Sequence, residues 1–414
     1  MKNPFPGLRP FYSDEYHLFF GRETHILEII RKLETARFVS VVGNSGSGKS
    51  SLVRAGVLPA LMKDEKANWI ICTMRPGQLP VEELNLALLS QLSTKADPVI
   101  QIDVEKNLEV LKKSKKGLIQ VVRPFLVEGS RLLILIDQFE ELFRYSEFHN
   151  SLDFNAGPQH FIDLILESIG QTDIPIYAMI TVRSDFLGDC EKFDGLPEAI
   201  NEGQFLVPRL KSHELEKTIQ GPIDMVDGKI ALRLIKQLVN QVGNNPDQLP
   251  ILQHNLNRVW EVWKVEDKPN SPIDLSHYEK TGGMEKAMSI HAEEAFAELT
   301  SDRQKYIAEQ MFKTITVKGP DNRGIRRPTS VSEICKIIVA KPEEVIEIAN
   351  IFRRNDRGFI MPSDQVKLTE TSILDISHES LMRVWQRLIV WVREESESAE
   401  MYQRLTDSAI LFDR

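Results

Sequence analysis

Along the first two hundred residues, short apolar runs alternate with longer stretches whose apolar positions recur every three or four residues. The runs are 38–42, 69–73, 132–136, 176–182 and 204–207. They are continuous rather than alternating, which predicts parallel strands buried on both faces and joined by crossover helices. Beyond Pro208 this rhythm stops. Residues 211–300 carry helical periods and no strand, with breaks at Gly221-Pro222, 244–246 and Gly282-Gly283. From 302 the pattern predicts two or three helices, then a hairpin from 358–361 and 373–377. A last helix follows, with Leu381, Val384, Trp385, Leu388, Trp391 and Val392 on one face. Helices, hairpin and helix in that order fit a winged-helix unit. The expected organisation is an α/β domain over 1–210, a helical domain over 211–300, a winged helix over 301–395, and a further helix or linker from 396. The last stretch has no stop signal at Arg414, so the chain is expected to continue. No internal repeat interrupts this order.

Composition narrows the class. The chain has 414 residues, 42% hydrophobic and 27% charged, with a formal charge of −9. That is enough apolar side chain for large cores, and it excludes disorder as the main state. The acidic balance argues against a dedicated nucleic-acid binder. Three cysteines, Cys72, Cys190 and Cys335, are widely spaced without a CxxC pair. They predict no disulfide scaffold or structural zinc, and a reducing compartment. No apolar run approaches the length of a membrane span, and the start has no signal-peptide core. The expectation is a cytoplasmic protein.

The first chemistry is phosphate binding. Gly43-Asn44-Ser45-Gly46-Ser47-Gly48-Lys49-Ser50 follows the strand 39–42 and opens a helix over 51–55. Glycines let the backbone curl so that N–H groups face phosphate oxygens, and the helix N-terminus adds positive dipole there. Lys49 is expected to reach the β- and γ-phosphates, and the Ser50 hydroxyl to hold Mg²⁺. Downstream, the buried run 132–136 delivers Asp137 to the carboxyl edge of the sheet, where it can hold Mg²⁺ through water. In Gln138-Phe139-Glu140-Glu141, one glutamate is expected to polarise the attacking water. Glu140 is favoured, with Glu141 close behind; the alternative is that both simply begin a solvated helix. The run 69–73 falls between the cradle strand and the Asp137 strand in sequence. This suggests a five-stranded parallel sheet with an inserted strand, the P-loop division that uses a glutamate. The run 176–182 ends in Arg183-Ser184-Asp185, so Arg183 either contacts the γ-phosphate or only pairs with Asp185. Thr94-Lys95-Ala96-Asp97 resembles a guanine-reading box but precedes Asp137 and lies in a polar stretch; it reads as coincidence, leaving adenine as the base. Lys112, Lys113, Lys115 and Lys116 read as a solvated helix end. The histidines show no metal spacing, and no triad or reactive-cysteine signature stands out.

Together these residues resemble the STAND class of P-loop ATPases, related to AP-ATPases and NACHT proteins, and within it the novel STAND group. Asn3-Pro4-Phe5-Pro6-Gly7-Leu8-Arg9-Pro10-Phe11 and Phe19-Phe20-Gly21-Arg22-Glu23 are similar to its N-terminal signature. The resemblance implies that Phe20, Gly21 and Arg22 flank adenine. The segment from Ser45 through Ser51 and Arg54-Ala55-Gly56 to Pro59 continues it. So do the stretch from Asp137 to Leu142 and Arg183-Ser184-Asp185-Phe186-Leu187. Gln248-Leu249-Pro250-Ile251-Leu252-Gln253-His254 resembles the family's proline motif, which implies that Pro250 packs on the base. Ser377-His378-Glu379-Ser380-Leu381 resembles its Met-His-Asp type motif, which implies that His378 binds the β-phosphate of ADP. Ser377 and Glu379 depart from that pattern.

What the resemblance implies is an ATP/ADP-controlled switch. ADP would bridge all three domains and hold them shut; ATP would open them and favour a homo-oligomer. Slow hydrolysis would reset the device, and a sensor C-terminal to Arg414 would set the trigger. Defence or stress signalling follows at family level only. Two other classes compete. One is an AAA-type remodelling motor, for which no sensor arginine or pore loop stands out. The other is a winged-helix DNA-binding regulator, with Arg353, Arg354 and Arg357 before the wing. The −9 charge and the apolar last helix argue against DNA.

Overall fold

Each of the five apolar runs forms a strand: β1 (Phe38–Gly43), β2 (Asn68–Met74), β3 (Ser130–Ile136), β4 (Ile176–Arg183) and β5 (Gln204–Leu206). In the computed structural model they make one parallel sheet in the order β2-β3-β4-β1-β5. The structure describes residues 2–64, 67–92, 103–146, 157–243, 248–266, 271–318, 324–354 and 357–412. The Thr94–Asp97 stretch and the expected break at 244–246 lie outside them.

Period-two alternation explains why the runs are continuously apolar. Phe38, Val42, Leu132, Ile134, Ile136, Ala178 and Ile180 face one core, covered by helices Pro80–Leu92, Gly117–Val122 and Pro158–Gly170. Val39, Val41, Leu133, Leu135, Tyr177 and Met179 face the other. There they meet Ile29 and Leu33 of helix Glu23–Ala36, and Leu52, Val53, Val57, Leu58 and Leu61. With both faces buried, both sets of positions are mostly apolar, the buried hydroxyls of Ser40 and Thr181 being exceptions. The inserted strand is β4, which stands between β1 and β3; β2, earlier in sequence, takes the edge. Register sets Gly43 opposite Arg183, Ile136 opposite Ile180 and Met74 opposite Ile136, so the carboxyl ends of β1 to β4 finish close together.

The chain divides into two compact units, Phe11–Glu214 and, discontinuous in sequence, Met1–Pro10 with Leu215–Arg414. In the second unit, helices Leu232–Val242, Gln248–Val265, Leu275–Lys280 and Gly283–Ala297 bury Leu238, Leu252, Trp260 and Ala292. The expected break at Gly221-Pro222 comes slightly later: helix Ser212–Asp224 includes Pro222, which lacks the N–H that would donate to the Thr218 carbonyl, and ends two residues beyond it. Gly282 does break the chain, with φ +84 just before helix Gly283–Ala297. The N-terminal segment belongs here. Asn257 Nδ2 donates to the Phe5 carbonyl at 2.7 Å, and Asn3 Nδ2 donates to the Asn257 carbonyl and to Glu261 Oε1 at 3.1 and 2.8 Å.

Helices Asp302–Thr314, Val331–Ile338 and Pro342–Arg353 follow. The expected hairpin forms from β9 (Ile360–Met361) and β10 (Ile373–Ile376) and gains β8 (Thr329–Ser330), giving the order β8-β10-β9. A further hairpin, β6 (Thr316–Lys318) with β7 (Gly324–Arg326), was not expected. The last helix is not continuous. It breaks at Trp385, whose backbone is extended, into Ser380–Val384 and Gln386–Phe412. Trp385 is fully buried between Phe312, Phe352 and Trp391, and its indole N–H donates to Glu293 at 2.7 Å. No helix among the described residues is long and apolar enough to cross a membrane.

Candidate functional site

After β1 the chain arches and turns into a helix. Gly48 makes the turn with φ +85, a backbone open to glycine. The chain then stays helical from 49 to 62, with a widened turn over Leu52–Val57. Such turns recur at functional sites. The arch is braced from several sides. Arg22, 4% exposed, donates to the carbonyls of Ser47 and Pro208 at 3.2 and 2.7 Å. Asn44 Oδ1 accepts from the Ser184 hydroxyl at 2.5 Å, and Ser51 Oγ accepts from the Phe11 N–H at 3.2 Å. Gly21 has φ +85, and its N–H donates to Glu23 at 2.9 Å. Phe20 is half-buried beside it.

Lys49 folds back into the arch it terminates. Its ammonium donates to the carbonyls of Gly43 and Asn44 at 2.7 and 2.8 Å. Burial brings its pKa down to about 8, with Arg183 adding to the effect while Glu140 and Asp137 oppose it. A buried, partly compensated cation of this kind favours an anionic ligand.

Asp137 ends β3 at 1% exposure. Its Oδ1 accepts from the hydroxyls of Ser50 at 2.9 Å and Thr181 at 2.6 Å; its Oδ2 faces Arg54 Nη2 at 2.8 Å. Burial alone would raise its pKa, but Arg54, Arg75 and the two hydroxyls hold it below the ordinary value. A hydroxyl and an ionised carboxylate side by side are hard oxygen donors, and the pair fits Mg²⁺. Among the described residues no group of three or more His, Cys, Asp or Glu could hold a metal. Mg²⁺ needs none, because it is commonly held by one or two protein oxygens, substrate phosphates and water.

The two glutamates separate clearly. The turn after Asp137 runs through Gln138, whose φ of +58 is rare outside glycine, and is fastened by Gln138 N–H to Thr181 Oγ1 at 2.9 Å. That turn aims Glu140 inward: it is 4% exposed, and its Oε2 has no hydrogen-bond partner. Burial raises its pKa, against the pull of Lys49 and Arg183. Glu141 instead begins helix Glu141–Ser146 and accepts from the Gly77 N–H at 3.4 Å. Arg183 sits at the end of β4 and makes a two-point contact with Asp185, at 3.0 and 2.6 Å.

The arch from Gly43 to Ser51, Asp137, Glu140 and Arg183 therefore meet at one sheet edge, with Arg22 bracing the arch. Pro250 and His378 belong to the other unit. Pro250 is the third residue of helix Gln248–Val265, where its missing N–H costs no helical bond. His378 follows β10. Its Nδ1 accepts from the Ser380 N–H at 3.1 Å and lies 2.8 Å from Ser380 Oγ. A neutral ring accepting there carries its proton on Nε2, as a donor. Glu379 is 5% exposed and lies 3.4 Å from Arg383.

Two participants, Thr181 and Arg75, escaped the sequence reading, and Arg54 entered it only as part of the family resemblance, without a role. Thr181 was hidden inside an apolar strand, though a lone hydroxyl in a buried run is itself a signal. Arg54 interrupts the apolar run from 52 to 61, and Arg75 directly follows β2 at the same sheet edge. The basic run is committed elsewhere: Lys112, Lys115 and Lys116 pair with Glu82, Asp163 and Glu167.

A glycine arch ending in a buried lysine, with a hydroxyl next to it and a strand-end carboxylate in reach, is how P-loop nucleoside triphosphatases hold nucleotide phosphates, and this chain is one of them. More narrowly, it belongs to the family described as Novel STAND NTPase 1, whose model matches residues 4–414. No curated protein matches the chain. Among solved structures it is similar to the ORC2 protein of Aeropyrum pernix in its ADPNP-ADP complexes. That match has 13% identity and a TM-score of 0.48, and covers 90% of this chain and 93% of that one. It is also similar to the Walker-type ATPase PABY2304 of Pyrococcus abyssi, with 13% identity, a TM-score of 0.41, and 91% and 98% covered. The ORC1 protein of Aeropyrum pernix in complex with DNA is 12% identical, with a TM-score of 0.44 and 94% of each chain covered.

Proposed function

We propose that this protein is an ATP/ADP-controlled signal-transduction switch, the nucleotide-binding core of a longer sensor protein, which hydrolyses ATP slowly and self-associates in its ATP state. The observation that carries the hydrolytic part is Glu140. A carboxylate with one unpartnered oxygen, buried at the same edge as Lys49 and Asp137, is placed to orient water toward a γ-phosphate. Ser50 and Asp137 would hold Mg²⁺, which would supply neutralisation of phosphate charge there. Lys49 takes phosphate charge, and Arg183 trades its Asp185 partner for the γ-phosphate. The burial of Glu140 favours it over Glu141 as the water-orienting group. Adenine is assigned to the Phe20–Arg22 side of the arch.

The switch part rests on His378 and Pro250. With Nδ1 accepting from Ser380, the neutral His378 ring carries its proton on Nε2, the tautomer that donates to a phosphate oxygen from that atom. In this reading His378 holds the β-phosphate of ADP and Pro250 lies on the base, so that ADP closes the molecule. Residues 211–300 form the helical domain, 301–395 the winged helix, and 396 onward a helix leading to the sensor. Shifting such an equilibrium from 1:99 to 99:1 takes about 5.5 kcal/mol of differential binding. The three cysteines are free, in keeping with the cytoplasm. A DNA-reading role finds no support in the arginines before the wing. Arg353, 3% exposed, donates to the carbonyls of Pro362, Asp364 and Val366, and Arg354 and Arg357 both pair with Glu298.

The test is to denature the purified protein and identify the nucleotide released. ADP in wild type, absent from Lys49→Ala and weakened in His378→Ala, supports the reading; guanine nucleotide, or none after ATP and Mg²⁺ are supplied, contradicts it. In the same preparation, Glu140→Gln should still bind ATP while phosphate release falls by about 10²–10⁴. Unchanged release would remove Glu140 from the chemistry.

A further inference from the structure

Asn44 is the first residue past β1, in the phosphate arch, and it is exposed. An exposed asparagine is normally free to rotate, but this one is held at two points. Its backbone carbonyl accepts from Lys49 Nζ at 2.8 Å and from the Ser47 N–H at 3.2 Å. Its side-chain Oδ1 accepts from the Ser184 hydroxyl at 2.5 Å. The sheet brings these two residues together: Gly43 stands opposite Arg183 in the β1–β4 ladder, and Asn44 and Ser184 are the next pair beyond it. With Oδ1 taken, the amide is left with Nδ2, and among the described residues Nδ2 donates to no protein group.

That amide has two cations for neighbours: Lys49 on its own carbonyl, and Arg183 one residue before Ser184. A diphosphate brings Lys49 its β-phosphate; only a triphosphate brings a group for Arg183 as well. A donor placed next to both adds a hydrogen bond where the third phosphate must end. Its orientation is set before the ligand arrives, so little side-chain entropy is lost on binding. We propose that Asn44 and Ser184 form a selector for the third phosphate: Asn44 Nδ2 donates to a γ-phosphate oxygen, and Ser184 is the positioning residue that fixes the amide. By donating to Oδ1, Ser184 keeps that oxygen away from the phosphate; a reversed amide would set an acceptor against an anion. The pair thereby weights the site toward triphosphate over diphosphate, the distinction on which an ATP/ADP switch depends. The inference rests on the reading of the arch as the phosphate cradle and of Arg183 as the γ-phosphate contact.

The experiment measures the binding of ADP and of the non-hydrolysable triphosphate AMPPNP, each with Mg²⁺, to full-chain protein stripped of nucleotide. Calorimetry gives both dissociation constants, and their ratio is the readout. Asn44→Ala should lower the preference for AMPPNP by about tenfold, the value of one hydrogen bond to a charged group, with the loss carried by AMPPNP. Ser184→Ala should lower it in the same direction but less, and Ser184→Thr, which keeps the hydroxyl, should restore it. A ratio unmoved in Asn44→Ala, with AMPPNP and ADP unchanged or weakened alike, makes the contact only a brace of the arch and overturns the proposal. So does a ratio lowered by Asn44→Ala but untouched by Ser184→Ala, which leaves the amide without its positioning residue. Wild type that binds ADP but not AMPPNP overturns it as well. If Asn44→Ala does not fold, Asn44→Asp decides: it keeps the shape and the acceptor for Ser184 but turns the donor into a negative charge. It must weaken AMPPNP more than ADP, and equal weakening overturns the proposal. Lys49→Ala separates the two levels. It should weaken both nucleotides; if it binds both as wild type does, the cradle reading itself has failed and this inference with it.

Discussion

Replacing Thr181 by valine exchanges one buried hydroxyl for a methyl group and leaves the shape of β4 alone. The hydroxyl does two things: it donates to Asp137 Oδ1 at 2.6 Å and accepts from the Gln138 N–H at 2.9 Å. The first is a hydrogen bond to an ion, worth about 1.5–3 kcal/mol; losing the second leaves a backbone donor unpaired, at about 1–3 kcal/mol. The added methyl returns at most about 0.8 kcal/mol. The net expectation is a loss of about 2–4 kcal/mol, centred on the turn that holds Gln138 at positive φ. Thr181→Ser keeps both bonds and gives up only a methyl, so it should lose about 0.5–1.5 kcal/mol. Urea unfolding of the ligand-free protein reads this directly, and with a slope of roughly 1–3 kcal/mol per molar the valine midpoint should fall by about 1 M or more. The sign with pH follows from Asp137, whose folded pKa lies below its ordinary 3.8. Stability from that depression is fully present above 3.8 and is lost as pH falls through the folded value, so the gap between valine variant and wild type should narrow in acid. If Thr181→Val unfolds within about 0.5 kcal/mol of wild type while Thr181→Ser is worse, the hydroxyl is not what organises this edge and the reasoning fails.

Other outcomes follow from the same geometry. Lys49 titrates near 8 because of burial, and bound phosphate must raise it again. ADP binding at pH 9 should therefore take up protons, with affinity falling by up to about tenfold per unit above pH 8. Calorimetry in two buffers of different ionisation enthalpy measures that uptake, and zero uptake contradicts it. His254, fully buried against His291 at 3.1 Å, has its pKa pushed well below 6.5 by burial, then by His291 and Arg258. The unfolded chain takes up that proton and the folded one does not, so stability is complete above pH 6.5 and declines below it by about 1.4 kcal/mol per unit. His254→Gln should show a shallower decline in urea midpoints between pH 7.5 and 5.5; equal slopes contradict the assignment. Asn257→Ala strips the Phe5 carbonyl of its donor and should cost about 1–3 kcal/mol, with cleavage near the N-terminus in limited proteolysis as the second readout.

Much of this was legible in the sequence because the relevant physics is local. Strands buried on both faces are apolar at nearly every position, and a phosphate arch must combine glycine, lysine and hydroxyl in a fixed spacing, so both announce themselves. What stayed hidden is settled by neighbours distant in sequence. That the sheet has an inserted strand was legible, but not which strand: β4 stands between β1 and β3, and nothing within β2 or β4 marks which takes that place. Glu140 and Glu141 are the same residue type one position apart; only the positive φ of Gln138 turns the first inward and leaves the second toward Gly77. The break at Trp385 has no proline or glycine to signal it, because the indole's place among three aromatic rings outweighs the helical period. The β6–β7 hairpin carries Lys318 and Arg326 in three-residue strands, too short for any alternation to show.

The discontinuous unit has a consequence for synthesis on the ribosome. Asn3 meets Asn257 across 254 residues, and at about 5–20 residues per second that partner emerges roughly 13–50 s later. Only late in that interval, from residue 214 to residue 257, does the unit spanning Phe11–Glu214 have all its own residues made, while Phe5 and Leu8 still lack the partners that bury them. The segment around Asn3 and Phe5 is thus made well before the residues that seat it, so its docking must wait for Asn257.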